Sequence, residues 1–221
     1  MAEQITNQPE YDVVIAGGGL SGALTALSLS LQHKVDGSAL SIAIVEANPI
    51  LNDVSLTYDD RVLALAHGSV EFLKSLNVWT ALANDATPIE NIHISDRGYY
   101  GKARINAREH NVEALGYVIE MALIGKALLA KLAHCKNITW YCPNRIENIT
   151  WAKECATVSL VSENPEASID IRAKLVLACD GGQSQCRQLA NIHVSQRKYG
   201  QSALIANITT KQPHNNLAFE R

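Results

Sequence analysis

The chain has 221 residues, of which 47% are hydrophobic and 19% charged, so it can bury a sizeable core and does not have the composition of a disordered protein. Its formal net charge of −3 gives no electrostatic reason to expect a nucleic-acid partner. The five cysteines contain no C-x-x-C pair and the histidines are scattered, so we expect reduced, mostly buried thiols and no metal site. The composition is that of a cytosolic α/β protein.

The first informative feature is a run of 19 residues without a charge, Val13 to Leu31. Its length would suit a membrane-spanning helix, but the consecutive glycines Gly17 to Gly19 would weaken such a helix, and the acidic residues before it do not suit a signal peptide. The pattern instead predicts a buried strand over Asp12 to Ala16, a glycine turn, and an amphipathic helix over Ser21 to Gln32.

The glycine turn has the spacing of a dinucleotide-binding fingerprint. Gly17 would permit the tight turn, Gly19 would let a pyrophosphate approach the backbone, and Gly22 would let the helix pack closely on the strand. Leu20, at the end of the turn, and Ser21, at the start of the predicted helix, would turn their N–H groups toward the phosphates. The turn therefore predicts a phosphate cradle, although by itself this signal is also found in unrelated α/β proteins.

An acidic residue follows at the position that the fingerprint requires. The second apolar segment, Leu40 to Asn48, contains Glu46, which lies 24 residues beyond Gly22. A carboxylate at the tip of the second strand accepts hydrogen bonds from a ribose hydroxyl. We expect Glu46 to bind the sugar of a dinucleotide, with a merely solvated Glu46 as the alternative.

The rest of the chain alternates between helical and strand patterns. The predicted helices cover 69–76 and 124–133, and a hairpin is predicted over 89–105 around Arg97-Gly98. Further strands are predicted over 138–141, 146–151, 157–161, 169–171, 174–182 and 202–210, with a turn at 163–166.

A second motif, CDGGQSQCR, follows the apolar segment that begins at Lys174. It places Asp180 and Gly181 at the carboxyl edge of a predicted parallel sheet, where ligands bind in such folds. Ser184 is suited to cap the next helix, and Arg187 follows three residues later. An ordinary Asp-Gly turn with a helix cap is the alternative interpretation.

Six stretches are distinctive when taken together: VVIAGGGLSGA, DDRVLALAHGS, IHISDRG, LGYVIEMALIGKALL, LVLACDGGQSQCR, and YGQSALIANITT with AFER. In this combination the chain resembles the flavin-dependent aromatic hydroxylases of ubiquinone biosynthesis, most of all those acting on an octaprenylated methoxyphenol. The resemblance extends from Tyr11 to Arg221.

The resemblance assigns roles to residues of this sequence. It implies that Gly17, Gly19 and Gly22 contact the FAD pyrophosphate, that Glu46 contacts the adenosine ribose, and that Arg61 reaches the flavin side of the cofactor. It also implies that Asp180 and Gly181 belong to a motif associated with FAD and reduced nicotinamide. Relatives often have Asp-Gly-Arg where this chain has Asp59-Asp60-Arg61, and a surface ion pair is the alternative for Arg61.

The implied architecture is an α/β, Rossmann-like FAD-binding domain of the aromatic hydroxylase type, with part of a β-rich substrate domain. The FAD-binding domain would comprise residues 1–80 and 105–195, and the substrate domain 81–104 and 196–221. Family members carry a Gly-Asp cofactor motif in their C-terminal half, and this chain contains no Gly-Asp dipeptide. We therefore expect a C-terminally truncated enzyme that is inactive alone, with an exposed sheet edge through which copies associate.

The implied reaction is monooxygenation of a polyprenylated phenol by FAD, reduced nicotinamide (NADH or NADPH) and O2, at or near the inner membrane and within the ubiquinone-biosynthesis machinery. No catalytic residue is assigned. Tyr117 and Glu120 either lie near the flavin or serve a structural role on a strand that leads into a helix. The hairpin residues Tyr99, Tyr100, Lys102 and Arg104 either guide the substrate at a membrane surface or form an ordinary solvated hairpin.

Two other functions remain open from the sequence. One is a different FAD- or NAD-dependent oxidoreductase that uses the same cradle. The other is a nucleotide-binding module without catalysis of its own.

Overall fold

A computed structural model describes residues 8–50, 61–162 and 168–221. The chain forms two compact units, the first comprising Met1–Asp53 and Leu128–Tyr199, and the second Val54–Ala127 and Gly200–Arg221. Because these units are defined by compactness and not by function, the division into an FAD-binding and a substrate domain stays a prediction.

The described part of the chain contains the following helices and strands. The helices are α1 (Leu20–Ser30), α2 (His67–Ser75), α3 (Met121–Leu132) and α4 (Gln185–Leu189). The strands are β1 (Glu10–Ala16), β2 (Ile42–Val45), β3 (Val62–Ala66), β4 (Thr87–Ile89), β5 (Asn91–Ser95), β6 (Lys102–Asn106), β7 (Gly116–Glu120), β8 (Ile138–Tyr141), β9 (Arg145–Trp151), β10 (Ala156–Val161), β11 (Ile169–Ala178) and β12 (Leu217–Glu220).

The first unit is built on a six-stranded sheet in the order β8-β2-β1-β11-β10-β9. β8, β2, β1 and β11 run parallel, whereas β10 is antiparallel to both β11 and β9. Residues Val13 to Ala16 of β1 are all buried, as expected for a strand flanked by two parallel neighbours and covered on its faces. The sheet thus brings the carboxyl ends of β1, β2 and β11 to one edge.

Helix α1 returns across β1 and β2 directly after the glycine turn. Its buried residues Ala23, Ala26 and Leu27 are spaced three and four apart, which places them on one face of the helix. A continuous apolar cluster of the same unit includes residues of the five strands β1, β2, β9, β10 and β11, and Cys186 of α4. These contacts fix the turn between β1 and α1 relative to the sheet edge.

The second unit contains two three-stranded sheets, in the orders β3-β7-β4 and β12-β5-β6. The hairpin expected around Arg97-Gly98 is formed by β5 and β6, which pair antiparallel. Tyr117 lies on β7, and its ring packs edge-on against Trp79 at a centroid distance of 4.9 Å. Glu120 ends the same strand immediately before α3, so both residues stand on a strand that leads into a helix, as the sequence suggested.

Most predicted elements are found within a few residues of their expected bounds, with two differences in the described residues. The two strands predicted over 169–171 and 174–182 are one continuous strand, β11, which ends at Ala178. Arg172 and Lys174, which interrupt its apolar pattern, pair with Glu10 and Asp12 of β1. The run Ser202 to Thr210 is not a strand, and its side chains are exposed. The turn predicted at 163–166 lies outside the described residues.

The cysteines differ in part from the expectation. All five are free thiols, as expected, but only Cys186 is buried, and the other four are half-buried. They are Cys135, Cys142, Cys155 and Cys179.

Across the described ranges, no helix combines the length and the apolarity that crossing a membrane requires.

Candidate functional site

The glycine turn after β1 is held by contacts between main chains. The N–H of Gly17 donates a 2.8 Å hydrogen bond to the carbonyl of Val45, and Gly17 has φ +95°, a conformation that side chains disfavour. A Cβ on Gly17 would lie 2.5 Å from the carbonyl oxygen of Cys179, and a Cβ on Gly22 would collide with the carbonyl of Gly17. Gly17 and Gly22 therefore permit close packing of the strand, the turn and the helix.

Gly19 has a different surrounding. It is the N-cap residue of α1, with φ −64° and ψ −174°, and no side chain caps the helix there. Apart from Gly19 itself and its two chain neighbours, no atom of the described residues lies within 4 Å of the position that a Cβ on Gly19 would occupy. The first-turn N–H groups, which include those of Leu20 and Ser21, have no acceptor within the helix, and the helix dipole gives this end a partial positive charge. The open side of the turn can therefore receive an anionic group.

Glu46 follows β2 and turns its carboxylate toward the glycine turn. Its Oε2 atom accepts a 2.7 Å hydrogen bond from the N–H of Gly18. Its Oε1 atom accepts hydrogen bonds from the N–H (2.8 Å) and the side-chain Nδ2 (3.1 Å) of Asn48. Its main chain is fixed as well, since its N–H donates to Tyr141 and its carbonyl accepts from Asn144. Both ends of this residue are therefore held in place.

The Asp180-Gly181 turn lies beside the glycine turn. The N–H of Cys179 donates a 2.8 Å hydrogen bond to the carbonyl of Ala16, which joins the two turns through their strands. Burial raises the pKa of Asp180, but hydrogen bonds from the Ser184 hydroxyl and the N–H of Cys186 outweigh this effect, so that the pKa lies below its usual range. Gly181 has φ +81°, and the space where its Cβ would lie is open.

Ser184 caps α4 as the sequence predicted. Its Oγ atom accepts a 3.0 Å hydrogen bond from the N–H of Arg187, and the guanidinium of Arg187 donates to the carbonyl of Gly182. The Asp180 carboxylate, which accepts from Ser184 and Cys186, thus takes part in an Asp-Gly turn followed by a helix cap. This arrangement was the alternative interpretation of the CDGGQSQCR motif. Gly181 remains open toward the same space as Gly19.

A cavity of about 400 Å³ lies at this edge of the first unit. It brings together the following residues singled out from the sequence: Gly17, Gly19, Glu46, Asp180 and Gly181. Leu20, Ser21 and Gly22 are not part of its lining and form the first turn of α1.

Arg61 belongs to the second compact unit. It immediately precedes β3, and its carbonyl oxygen accepts a 2.9 Å hydrogen bond from the N–H of Met121. Asp59, and Asp60, which stands where relatives often have glycine, lie outside the described residues. The role suggested for Arg61 therefore stays a prediction.

Several lining residues were not singled out from the sequence. Near Glu46 the cavity is lined by Asn48, by Asn144 in the connection between β8 and β9, and by Arg145 at the start of β9. Beside the Asp180 turn it is lined by Cys179 and Cys186. The Oδ1 atom of Asn144 is buried and has no hydrogen-bond partner in the described structure. Asn48 lies only two positions after Glu46 in the sequence, but that spacing does not specify its contact.

Cys186 is the buried thiol of this site. Burial, aided by the negative charge of Asp180, raises the pKa of Cys186 to about 12. The group is therefore a neutral thiol at physiological pH, and the structure gives it a packing role in the core cluster beneath the cavity.

Comparison with known proteins identifies the family. A family model described as FAD binding domain matches residues 10–218. The chain is 26% identical over 214 residues to the ubiquinone hydroxylase UbiL of Rhodospirillum rubrum, covering 95% of this chain and 46% of that protein. It is 30% identical over 207 residues to the 3-demethoxyubiquinol 3-hydroxylase of Escherichia coli, covering 92% of this chain and 49% of that protein.

A solved structure has the same fold. The flavin-dependent monooxygenase PieE, determined in complex with FAD and substrate, matches with a TM-score of 0.68 at 16% identity, covering 84% of this chain and 33% of that one. The chain spans about half the length of the curated relatives that it matches.

Proposed function

Because the chain belongs to the family of FAD-binding domains, we propose that its cavity binds the ADP portion of FAD and that it serves a monooxygenase that hydroxylates a polyprenylated phenol. Reduced nicotinamide and O2 are the co-substrates of this proposal. The names of two relatives, a ubiquinone hydroxylase and a demethoxyubiquinol hydroxylase, support the substrate class.

The single observation that carries the proposal is the arrangement of Gly19 and Glu46 in one cavity. Open space above Gly19 suits a diphosphate, which main-chain N–H groups at the start of α1 would bind. The Glu46 carboxylate, held by Gly18, is suited to accept a hydrogen bond from the adenosine ribose. These features fit a dinucleotide that carries an unmodified ribose.

The roles of the protein and the cofactor differ in this proposal. FAD, when bound, accepts hydride from reduced nicotinamide and activates O2. The chain orients the cofactor: Gly17, Gly19, Leu20, Ser21 and Gly22 form the diphosphate cradle, Glu46 holds the sugar, and Asp180 and Gly181 form the adjoining wall. Arg61 is proposed to contact the flavin side. We assign residues 1–80 and 105–195 to FAD binding and 81–104 and 196–221 to the substrate domain.

A peripheral membrane location is part of the same proposal, since a polyprenylated substrate resides in a bilayer. The tip of the β5–β6 hairpin supports it, because the side chains of Tyr99 and Tyr100 are 75% and 99% exposed. Three cationic residues, Arg97, Lys102 and Arg104, accompany them. Exposed tyrosines beside cations suit the interface of an anionic membrane. We also propose that the protein associates with other enzymes of the pathway, or that copies of the chain associate through the edge strand β12.

Sedimentation with vesicles tests the membrane proposal. We expect the protein to bind vesicles that contain phosphatidylserine, and the double variant Tyr99→Ser/Tyr100→Ser to bind them less. Trp151→Ser, which removes an aromatic side chain that is exposed on the first unit, is the matched control. Equal binding of all three proteins would refute this hairpin as the contact.

Flavin binding tests the central proposal. The purified protein, mixed with FAD and freed of unbound ligand by gel filtration, should retain the visible absorption of flavin, and an excess of ADP should displace it. NAD carries the same ADP group, so it should displace flavin no better than ADP does. Absence of retained flavin, or tighter binding of NAD than of FAD, would contradict the proposal and favour the other oxidoreductase class.

A further inference from the structure

The hydrogen bonds of Glu46 are unevenly divided between its two carboxylate oxygens. Oε1 accepts two hydrogen bonds, and both come from Asn48. Oε2 accepts one, from the N–H of Gly18. Since each carboxylate oxygen offers about two lone-pair sites, the described residues fill both sites of Oε1 and leave one site of Oε2 open. An incoming hydroxyl group would therefore bind at Oε2.

The contacts of Asn48 suit a residue that orients the side chain of Glu46. Its side chain is exposed at the cavity and donates to Glu46, so it contributes little to the apolar core. Its own main chain is fixed, because its carbonyl oxygen accepts a 3.2 Å hydrogen bond from the thiol of Cys142. The side-chain amide of Asn48 is therefore carried by a main chain that is itself hydrogen-bonded.

We infer that Asn48 is a positioning residue for FAD, which occupies Oε1 of Glu46 and thereby directs Oε2 toward a ribose hydroxyl. The inference rests on the proposed function, namely that Glu46 binds the adenosine ribose. Without the Asn48 amide, Oε1 would keep only the main-chain donor, and the carboxylate would be held less firmly in this orientation. The unbound protein would then have to order this side chain on binding, which weakens affinity.

A double-mutant cycle tests the inference. Dissociation constants for FAD, from the quenching of flavin fluorescence, and for ADP, from displacement of FAD, are measured for the unmodified protein, Asn48→Ala, Glu46→Gln and the double variant. Loss of one hydrogen bond to a charged group should weaken binding of both ligands about three- to tenfold in Asn48→Ala. In the Glu46→Gln background the same substitution should change affinity less than about twofold, because Asn48 acts through Glu46.

Asn137→Ala is the matched control. The side-chain amide of Asn137, which directly precedes β8, also donates two hydrogen bonds within the first unit. Their acceptors are the carbonyls of Ser30 and Leu40. This variant should have a lower thermal midpoint, but the molecules that remain folded should bind FAD with unchanged affinity. Asn48→Ala should show the reverse pattern, with a nearly unchanged thermal midpoint.

Asn48→Asp supplies a second readout that does not depend on the alanine variant folding. It replaces the Nδ2 donor by a carboxylate that repels Glu46 at neutral pH. We expect weak FAD binding at pH 7 and partial recovery relative to the unmodified protein as the pH falls toward 5. Asn48→Ser, which keeps a short hydroxyl donor, should bind with intermediate affinity.

The outcomes separate the inference from the function on which it rests. If the unmodified protein does not bind FAD, or Glu46→Gln binds it equally well, the proposed role of Glu46 fails and the inference with it. If Glu46→Gln weakens binding but Asn48→Ala does not, or if Asn48→Ala weakens it equally in both backgrounds, only the positioning role is overturned.

Discussion

The main-chain N–H of Gly18 and the Oε2 atom of Glu46 are 2.7 Å apart and form a hydrogen bond. This bond joins the turn after β1 to the residue that follows β2, so the cradle and its acidic partner form one unit before any ligand arrives. A site whose polar groups are already oriented loses less entropy on binding than one that must be assembled.

Shortening the Glu46 side chain should weaken the binding of FAD. Glu46→Asp keeps the charge but withdraws the carboxylate from Gly18 and Asn48, so we expect about a tenfold rise in the dissociation constant. Fluorescence titration with FAD measures it. Glu147→Asp, at an exposed position on β9, is the control that should bind normally. Normal binding by Glu46→Asp as well would argue against a sugar contact.

Two glycines of the cradle should respond differently to substitution. Gly19→Val places a side chain in open space at a permitted backbone conformation, so the fold should persist while FAD binding is lost. Gly22→Ala forces a Cβ against the carbonyl of Gly17, and overpacking of this kind costs about 1–3 kcal/mol of unfolding free energy. Urea unfolding and flavin retention distinguish the two effects. Gly68→Ala, on α2 with no described atom near its Cβ, should leave flavin retention unchanged and should not destabilise the fold, since alanine favours a helix by up to about 1 kcal/mol over glycine.

Asp12 should make the stability of the protein depend on pH. It is 8% exposed, and hydrogen bonds from Lys174 and Ser41, together with Lys34, hold its pKa well below the usual range. A lowered pKa in the folded state means that Asp12 contributes fully above its unfolded pKa of about 4, and that the contribution declines as the pH falls toward the folded value.

The variant Asp12→Asn tests this dependence. It should lower the free energy of unfolding by about 2–4 kcal/mol at pH 7, and the difference from the unmodified protein should shrink as the pH falls below about 4. Urea titrations at several pH values measure it. Glu71→Gln breaks an exposed ion pair with Lys74 and should have little effect at any of these pH values.

Cys186 should be the last cysteine to react with an alkylating reagent. Burial, with the negative charge of Asp180, raises its pKa to about 12, so at pH 8 almost no reactive thiolate is present. Mass spectrometry after brief treatment of the folded protein with iodoacetamide should find the half-buried cysteines modified first. All five should react at similar rates in urea. Early modification of Cys186 in the folded protein would contradict its assigned burial.

The β1-α1-β2 region was predictable from the sequence because its signals are local. The glycine spacing, the uncharged run and the acidic residue after β2 each act within a short stretch of chain. The cap formed by Ser184 was predictable for the same reason, since its acceptor atom and the N–H of Arg187 are three residues apart.

Features that depend on distant partners were not predictable. Residues 202–210 have a composition typical of strands, but a strand exists only where another strand pairs with it, and in the described structure β12 pairs with β5 instead. The double contact of Asn48 with Oε1 of Glu46 depends on side-chain conformations that no spacing rule encodes. Asn144 is brought to the site only by the pairing of β8 with β2.

The position of β11 between β1 and β10 affects the order of events during synthesis. Of the described strands, β1 emerges first from the ribosome. One of the two strands that pair with it, β11, is formed by residues 169–178. Until that segment has been translated, the nascent chain lacks both a neighbour for β1 and the Asp180 wall of the cavity. A complete cavity cannot form before that segment has been translated, so we expect nucleotide binding to follow this step, and a quality-control system that senses the bound ligand would in effect sense that the long-range pairing is complete.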